Sequence, residues 1–267
     1  MGAGRQQQKE GVLSLELRSV TKRYRGIPAV ENVSFTAHSG EVTGYLGPNG
    51  SGKSTTLRMI VGLIAPSEGE IFFGGQPVAR DPVAHRRRLG YVPEDAQIYG
   101  HLTGGEYLEM VGQLRGIPEK TLARKIDGFL RLFSLHGDRY VQISSYSKGM
   151  RQKVLIASAL LHNPDLILLD EPFSGLDVNS ALVLRDLIRE LAARGRTVLF
   201  SSHELDVVER VSSRVVILHK GRVVANNPIA ELRALMSLPT LEEIFRRLAV
   251  EQDTGAITSE LAALIES

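Results

Sequence analysis

The chain has 267 residues, of which 43% are hydrophobic and 23% charged, values that suit a folded globular protein and exclude a disordered or collagen-like one. Thirty-two Lys and Arg stand against thirty Asp and Glu, a formal charge of +2 that gives no case for a nucleic-acid surface. With no cysteine in the chain, disulfides, thiol catalysis and Cys-ligated metal centres are excluded. The seven histidines form no pair at metal-ligand spacing.

The N-terminal segment 1–11 is polar and Gln-rich, lacks the apolar run of a secretory signal, and is expected to be flexible. No apolar run in the chain approaches the ~18–20 residues of a membrane-spanning helix. Residues 12–17 alternate apolar and polar, a strand pattern, and 32–35 give a second short strand. Residues 41–46 read as a strand entering a Gly-rich turn, 54–63 as the helix behind it, and 70–73 as a further strand after the Ala65-Pro66-Ser67 stop. The basic run His85-Arg86-Arg87-Arg88 reads as a solvated helix face.

From about 95 to 161 the texture is helical, with helices over 106–115, 119–133 and 154–161. Strands and helices then alternate. Residues 166–169 are a continuous apolar run, as expected of a parallel strand covered on both faces. A helix over 178–194, a strand over 197–200 and a helix over 204–211 follow, then a hairpin of 215–218 and 222–225 turning at Lys220-Gly221. Thr240-Leu241-Glu242-Glu243 has the form of a capping box and opens one more helix. The pattern is an α/β nucleotide-binding core with a helical insertion.

Gly47-Pro48-Asn49-Gly50-Ser51-Gly52-Lys53-Ser54 fits G-x-x-x-x-G-K-[ST] between a strand and a helix. Glycines let backbone amides converge on phosphate oxygens, the helix contributes its positive end, Lys53 reaches the β/γ-phosphates and Ser54 can ligate Mg²⁺. The apolar strand 166–169 ends in two carboxylates. Asp170 is placed for the Mg²⁺ water shell and Glu171 to polarise the attacking water.

Further motifs narrow the class: Tyr146-Ser147-Lys148-Gly149-Met150 ahead of a helix, Ser174-Gly175-Leu176-Asp177 after the second strand, and His203 closing the next one. In their order and spacing they resemble the nucleotide-binding subunit of ATP-binding cassette (ABC) transporters over residues 13–225. That resemblance implies a P-loop NTPase (RecA-like) core with an N-terminal antiparallel β subdomain and an inserted α-helical subdomain at about 95–161. The ATPase domain would cover 12–232 and a helical tail 233–267. It implies that residues 47–55, Thr55 included, form the Walker A loop, Asp170 and Glu171 the Walker B aspartate and catalytic glutamate, and His203 the switch histidine. It further implies that Tyr24 stacks on adenine, and that Ser147, Lys148, Gly149 and Asp177 serve a nucleotide held by a second subunit. That second subunit would be packed head to tail, a homodimer being the expectation.

Two positions depart from the commonest family pattern. The signature reads Tyr146-Ser147-Lys148-Gly149-Met150 in place of Leu-Ser-Gly-Gly-Gln, and Glu94 stands where glutamine is usual, as a further oxygen ligand for Mg²⁺. Both forms, with Leu241-Glu242-Glu243-Ile244-Phe245, resemble the subgroup that pairs with ABC-2-type export permeases. The expected role is a cytoplasmic ATPase, binding ATP and Mg²⁺ and peripheral on the inner face of the membrane through a permease on a separate chain. The transported substrate stays open, and the tail after residue 248 reads as a packed helix or a regulatory segment. The alternative is a soluble ABC ATPase acting on ribosomes or DNA, disfavoured by the single cassette and the lack of a basic stripe. A P-loop small-molecule kinase leaves the Ser147 and Ser174 motifs unexplained.

Overall fold

The computed structural model describes residues 13–94 and 98–249. The expected flexible segment 1–11, residue Asp95 and the tail beyond 249 lie outside them. Two sheets form the frame. In the first, β1 (Leu15–Tyr24), β2 (Ile27–Ala37), β4 (Glu68–Phe73) and β5 (Gln76–Pro77) are antiparallel, in the order β2-β1-β4-β5. The second runs β10-β9-β3-β8-β7-β6, with β3 (Val42–Leu46), β6 (Leu89–Val92), β7 (Leu166–Asp170), β8 (Thr197–Ser202) and β9 (Arg214–His219) parallel. Only β10 (Arg222–Pro228) runs against them.

The helices are α1 (Lys53–Val61), α2 (Pro82–Arg87), α3 (Gly104–Leu114), α4 (Glu119–Leu132), α5 (Lys148–Leu160), α6 (Val178–Ala193), α7 (Leu205–Val211), α8 (Ile229–Met236) and α9 (Leu241–Ala249). The expected α/β core, antiparallel N-terminal sheet and helical insertion are all present. β3, β7 and β8 are buried along their whole length, because each face of the parallel sheet carries its own core. One core holds Leu15, Phe35 and Ile71 of the antiparallel sheet, Leu57 and Ile60 of α1, and Leu168 and Leu199 of the parallel sheet. The other packs Leu155, Leu184, Val208, Leu232, Leu241 and Ile244 of α5 to α9 against Ile167, Phe200 and Ile217. Full burial of each such side chain is worth roughly 1.5–3 kcal/mol.

Several elements exceed what periodicity indicates. β1 runs on to Tyr24 because Ser19, at φ 48°, bulges the strand and resets its alternation, so that Val20 and Thr21 are buried side by side. Asn32, at φ 50°, sits in β2, and the strand starts five residues before the stretch that reads as strand. The basic run divides: His85 of α2 is 7% exposed and bonds its Nε2 to Ile60 O at 2.8 Å, while Arg86 and Arg87 face solvent. Strand β6 and helix α8 carry no period in the sequence. The expected boundary at 232/233 falls inside α8, and Thr240 Oγ1 accepts the Glu243 N–H at 3.3 Å, one half of the expected capping box.

Candidate nucleotide site

The carboxyl ends of β3, β7 and β8 meet at one edge of the parallel sheet, where open α/β sheets hold their ligands. The loop from Gly47 to Gly52 leaves β3 and turns into α1. Gly52 takes φ 105°, and a Cβ there would stand 2.5 Å from Ala29 O, so only glycine lets β2 close over the loop. Lys53 is 8% exposed. Its Nζ folds back on the loop, donating to Gly47 O at 2.7 Å and Pro48 O at 3.3 Å. Burial pulls the Lys53 ammonium below the usual lysine range, while Glu171, Asp170 and Glu94 hold it up. Three carboxylates thus face one lysine.

Asp170, 2% exposed at the end of β7, accepts a short bond from Ser201 Oγ on β8. Burial raises its carboxyl above the ordinary aspartate value, and the Ser201 and Ser54 hydroxyls oppose that rise. Glu171 follows at φ 49°, a left-handed conformation uncommon for a non-glycine residue. Its N–H is shared between Ser201 O and Ser201 Oγ, each at 3.2 Å. Its carboxylate meets His203 Nδ1 at 2.9 Å, with the glutamate 8% and the histidine 60% exposed. Ser201 thus holds both acids, a role the sequence signals only through two serines closing an apolar strand.

Asn49, Gly50, Gly52, Lys53, Ser54, Thr55, Glu94 and Glu171 line a cleft of about 220 Å³, with Ala29 of β2. That is less than the ~300 Å³ and upwards of a site enclosing a small molecule. It suits phosphate groups, with base and ribose outside. Gly47, Pro48 and Ser51 form the rest of the loop, and the Ser51 hydroxyl is buried without a partner. Tyr24 does not line the cleft; it ends β1, 47% exposed, with Lys22 Nζ 5.5 Å from its ring centroid. Among the described residues no three His, Asp or Glu gather as a metal cage. Ser54, which lines the cleft, and Asp170, whose carboxylate the Ser54 hydroxyl meets behind it, do fit Mg²⁺, which keeps waters and takes one or two carboxylates plus phosphate oxygens.

The other motif residues stand apart from the cleft. Ser147 caps α5 by accepting the Met150 N–H at 3.2 Å, and both Ser147 and Lys148 are exposed. Asp177 caps α6, and bonds from Ser180 and Lys153 hold its carboxyl well below the usual range.

The family described as "ABC transporter" matches residues 30–174, just over half the chain. The chain belongs to that family. Against the ABC-type transporter ATP-binding protein EcsA of Bacillus subtilis, this ABC protein is 35% identical over 243 residues, covering 90% of this chain and 98% of that one. It is 33% identical over 253 residues to the Nod factor export ATP-binding protein I of Paraburkholderia xenovorans, covering 95% and 82%. A solved ATP-binding subunit of an ABC transporter superposes with a TM-score of 0.83 at 36% identity, over 88% of this chain and 98% of that one. A dimeric ATP-binding cassette in a post-hydrolysis state, bound to ADP and Pi, gives 0.75 at 28% identity over 80% and 98%. The protein is an ATP-binding, ATP-hydrolysing cassette with the P-loop fold.

Proposed function

We propose that this cassette drives export through a permease on a separate chain, working as a head-to-tail pair with ATP between the two subunits. The observation that carries this reading is the division of the site. Lys53, Ser54 and Glu171 line the cleft, whereas Ser147 and Lys148 lie exposed at the start of α5, off that cleft. A second copy, turned over, would bring its Ser147 and Gly149 to the open side of the phosphates, and its Asp177 alongside. The dimeric cassette with ADP and Pi supports such a pair.

In this reading the amides of residues 47–55 and Lys53 bind the β- and γ-phosphates, and Tyr24 receives the adenine. Ser54 and Asp170, with Glu94 of the cleft lining, would hold Mg²⁺, which when bound supplies positive charge to the phosphate being cleaved. Glu171 takes the proton of the attacking water, and His203, bonded to its Oε1, fixes the carboxylate. Loss of the γ-phosphate removes the bridge to the opposing α5 and frees the pair. No helix among the described residues is long and apolar enough to cross a membrane, so the transport path is assigned to the partner. The inner face of the membrane is the expected location. The direction, and an ABC-2-type permease, rest on the Tyr146–Met150 and Glu94 forms and on likeness to the protein named for Nod factor export.

Expression with and without a candidate ABC-2-type permease tests this. Recovery in the membrane fraction only with the permease, and ATPase activity that responds to it, are expected. Co-sedimentation with ribosomes or nucleic acid, unaffected by the permease, would replace the reading with a soluble ABC ATPase.

A further inference from the structure

The first turns of α5 and the segment after Glu171 are stitched together along their length. Lys148 Nζ donates to Ser174 Oγ at 2.8 Å, Gln152 Nε2 to Pro172 O at 3.1 Å, and Lys153 Nζ lies 3.3 Å from Asp177 Oδ2. A Cβ on Gly149 would stand 2.5 Å from Gly175 O, so the two backbones touch. The Ser174 N–H in turn donates to Glu171 O at 3.1 Å. A continuous path of bonds thus leads from Lys148, through Ser174, to the backbone of Glu171.

Lys148 is the unusual member of this set. Lys153 meets a carboxylate, whereas Lys148 meets a neutral hydroxyl. It places a positive charge at the first position of a helix whose first turn holds no acid, where the helix dipole disfavours it. Local choices that oppose stability concentrate where function requires them. The stem of Lys148 also depends on its neighbour. Gly175 has φ 77°, and a Cβ there would come within 2.9 Å of both Lys148 Cγ and Cδ. With glycine at 175 the lysine stem crosses to Ser174 without obstruction, whereas a larger residue would force it to shift. Lys148 and Gly175 thus act together.

We propose that Lys148 is a positioning residue for hydrolysis: by bonding Ser174 across Gly175 it sets the turn that carries Glu171, and so ties the start of α5 to the water-activating site of its own subunit. This rests on the reading of Glu171 as the base and of the α5 start as the face toward a second subunit's nucleotide. Displacement of α5 by an arriving phosphate pulls directly on the Glu171 turn.

The chain has no tryptophan, so Phe173→Trp places a single fluorophore in this turn, at a half-buried ring packed edge-on against Phe200 at 5.9 Å. In that background Lys148→Met keeps the stem and removes the charge, and Ser174→Ala removes the acceptor. Each is expected to lower kcat about tenfold with the KM for ATP within about twofold. The double variant should be no worse than either single one, and all three should lose the change in emission that Mg-ATP induces in the parent. Additive losses, or an emission response kept intact, would overturn the proposal. So would a KM raised by Lys148→Met and not by Ser174→Ala, which would put Lys148 on the nucleotide itself. Glu171→Gln, assayed alongside, separates the two ideas: normal hydrolysis there removes the base assignment, while the emission signal, which needs no turnover, still decides the Lys148 link.

Discussion

The two ends of the parallel sheet treat charge in opposite ways. At the amino ends of β6, β7 and β8, Asp165 accepts from Arg88 Nε at 2.8 Å and from Arg196 Nη1 at 2.5 Å, and Arg196 also bonds Asn163. One carboxylate there is shared by two guanidiniums, so these charges are paired directly within the chain. At the carboxyl ends Lys53 is held by loop carbonyls, and Asp170 by the Ser201 hydroxyl. Neutral partners fix these side chains and leave their charge available to a ligand. The amino end pairs its cations with an anion directly, whereas the cleft anchors Lys53 and Asp170 on neutral groups.

The sharpest division between the ends is expected from Glu171→Gln, which keeps shape and removes the proposed base. Loss of a positioned base costs about 10²–10⁴-fold in kcat, while ATP binding should be retained and size-exclusion chromatography with Mg-ATP is expected to show a long-lived dimer. A monomer that hydrolyses normally would break the assignment. Next in size is Lys53→Ala, with a loss of about 10²–10³-fold in ATPase activity and weakened ATP binding by calorimetry. Because burial already disfavours the Lys53 ammonium, the melting temperature without nucleotide should not fall. A protein unfolded by this change would show that the lysine serves the fold.

The carboxyl end was legible because its groups are contiguous: an eight-residue loop, then an apolar strand ending in Asp170 and Glu171. Ser201 was not, since it lies 31 residues from Asp170 and declares itself only when β7 and β8 pair. The Lys148 to Ser174 bond spans 26 residues and left no trace in spacing. At the amino end nothing was legible. Arg88 read as part of a solvated basic face, yet its guanidinium reaches Asp165, 77 residues on. Bulges at Ser19 and Asn32 hid the true lengths of β1 and β2, because a positive φ interrupts the period-two pattern on which strand reading depends.

A smaller effect is expected at the amino end, and of the other kind. Asp165→Asn keeps volume but leaves Arg88 and Arg196, 40% and 22% exposed, without their carboxylate. A cost of about 1–3 kcal/mol lowers the midpoint of thermal unfolding by several degrees, roughly 2–4 °C per kcal/mol for a chain of this size. ATPase activity at 25 °C should be unchanged. A loss of turnover with an unchanged midpoint would blur the contrast between the ends.

The smallest effect separates the ends by pH. His162, which follows α5, bonds its Nε2 to Leu89 O at 3.0 Å, and its buried Nδ1 has no partner. Burial, with the nearby Arg115 and Lys125 charges, pushes its imidazole down to about 4, and the Leu89 carbonyl opposes this only in part. The folded protein therefore keeps His162 neutral at a pH where the unfolded chain, near 6.5, takes up a proton. Stability from this source is fully present above pH 6.5 and is lost as pH falls from there toward about 4. His85, also lowered chiefly by burial, acts with the same sign. His162→Gln keeps a donor for Leu89 O and removes the titrating group. Thermal midpoints recorded between pH 7.5 and pH 4.5 should then fall less steeply than in the parent, with the share of His85 remaining. ATPase activity at pH 7.5 should not change, because His162 lies at the amino end of the sheet and bonds no residue that lines the cleft. Parallel midpoint curves for the two proteins would show that His162 does not drive the acid sensitivity of the fold.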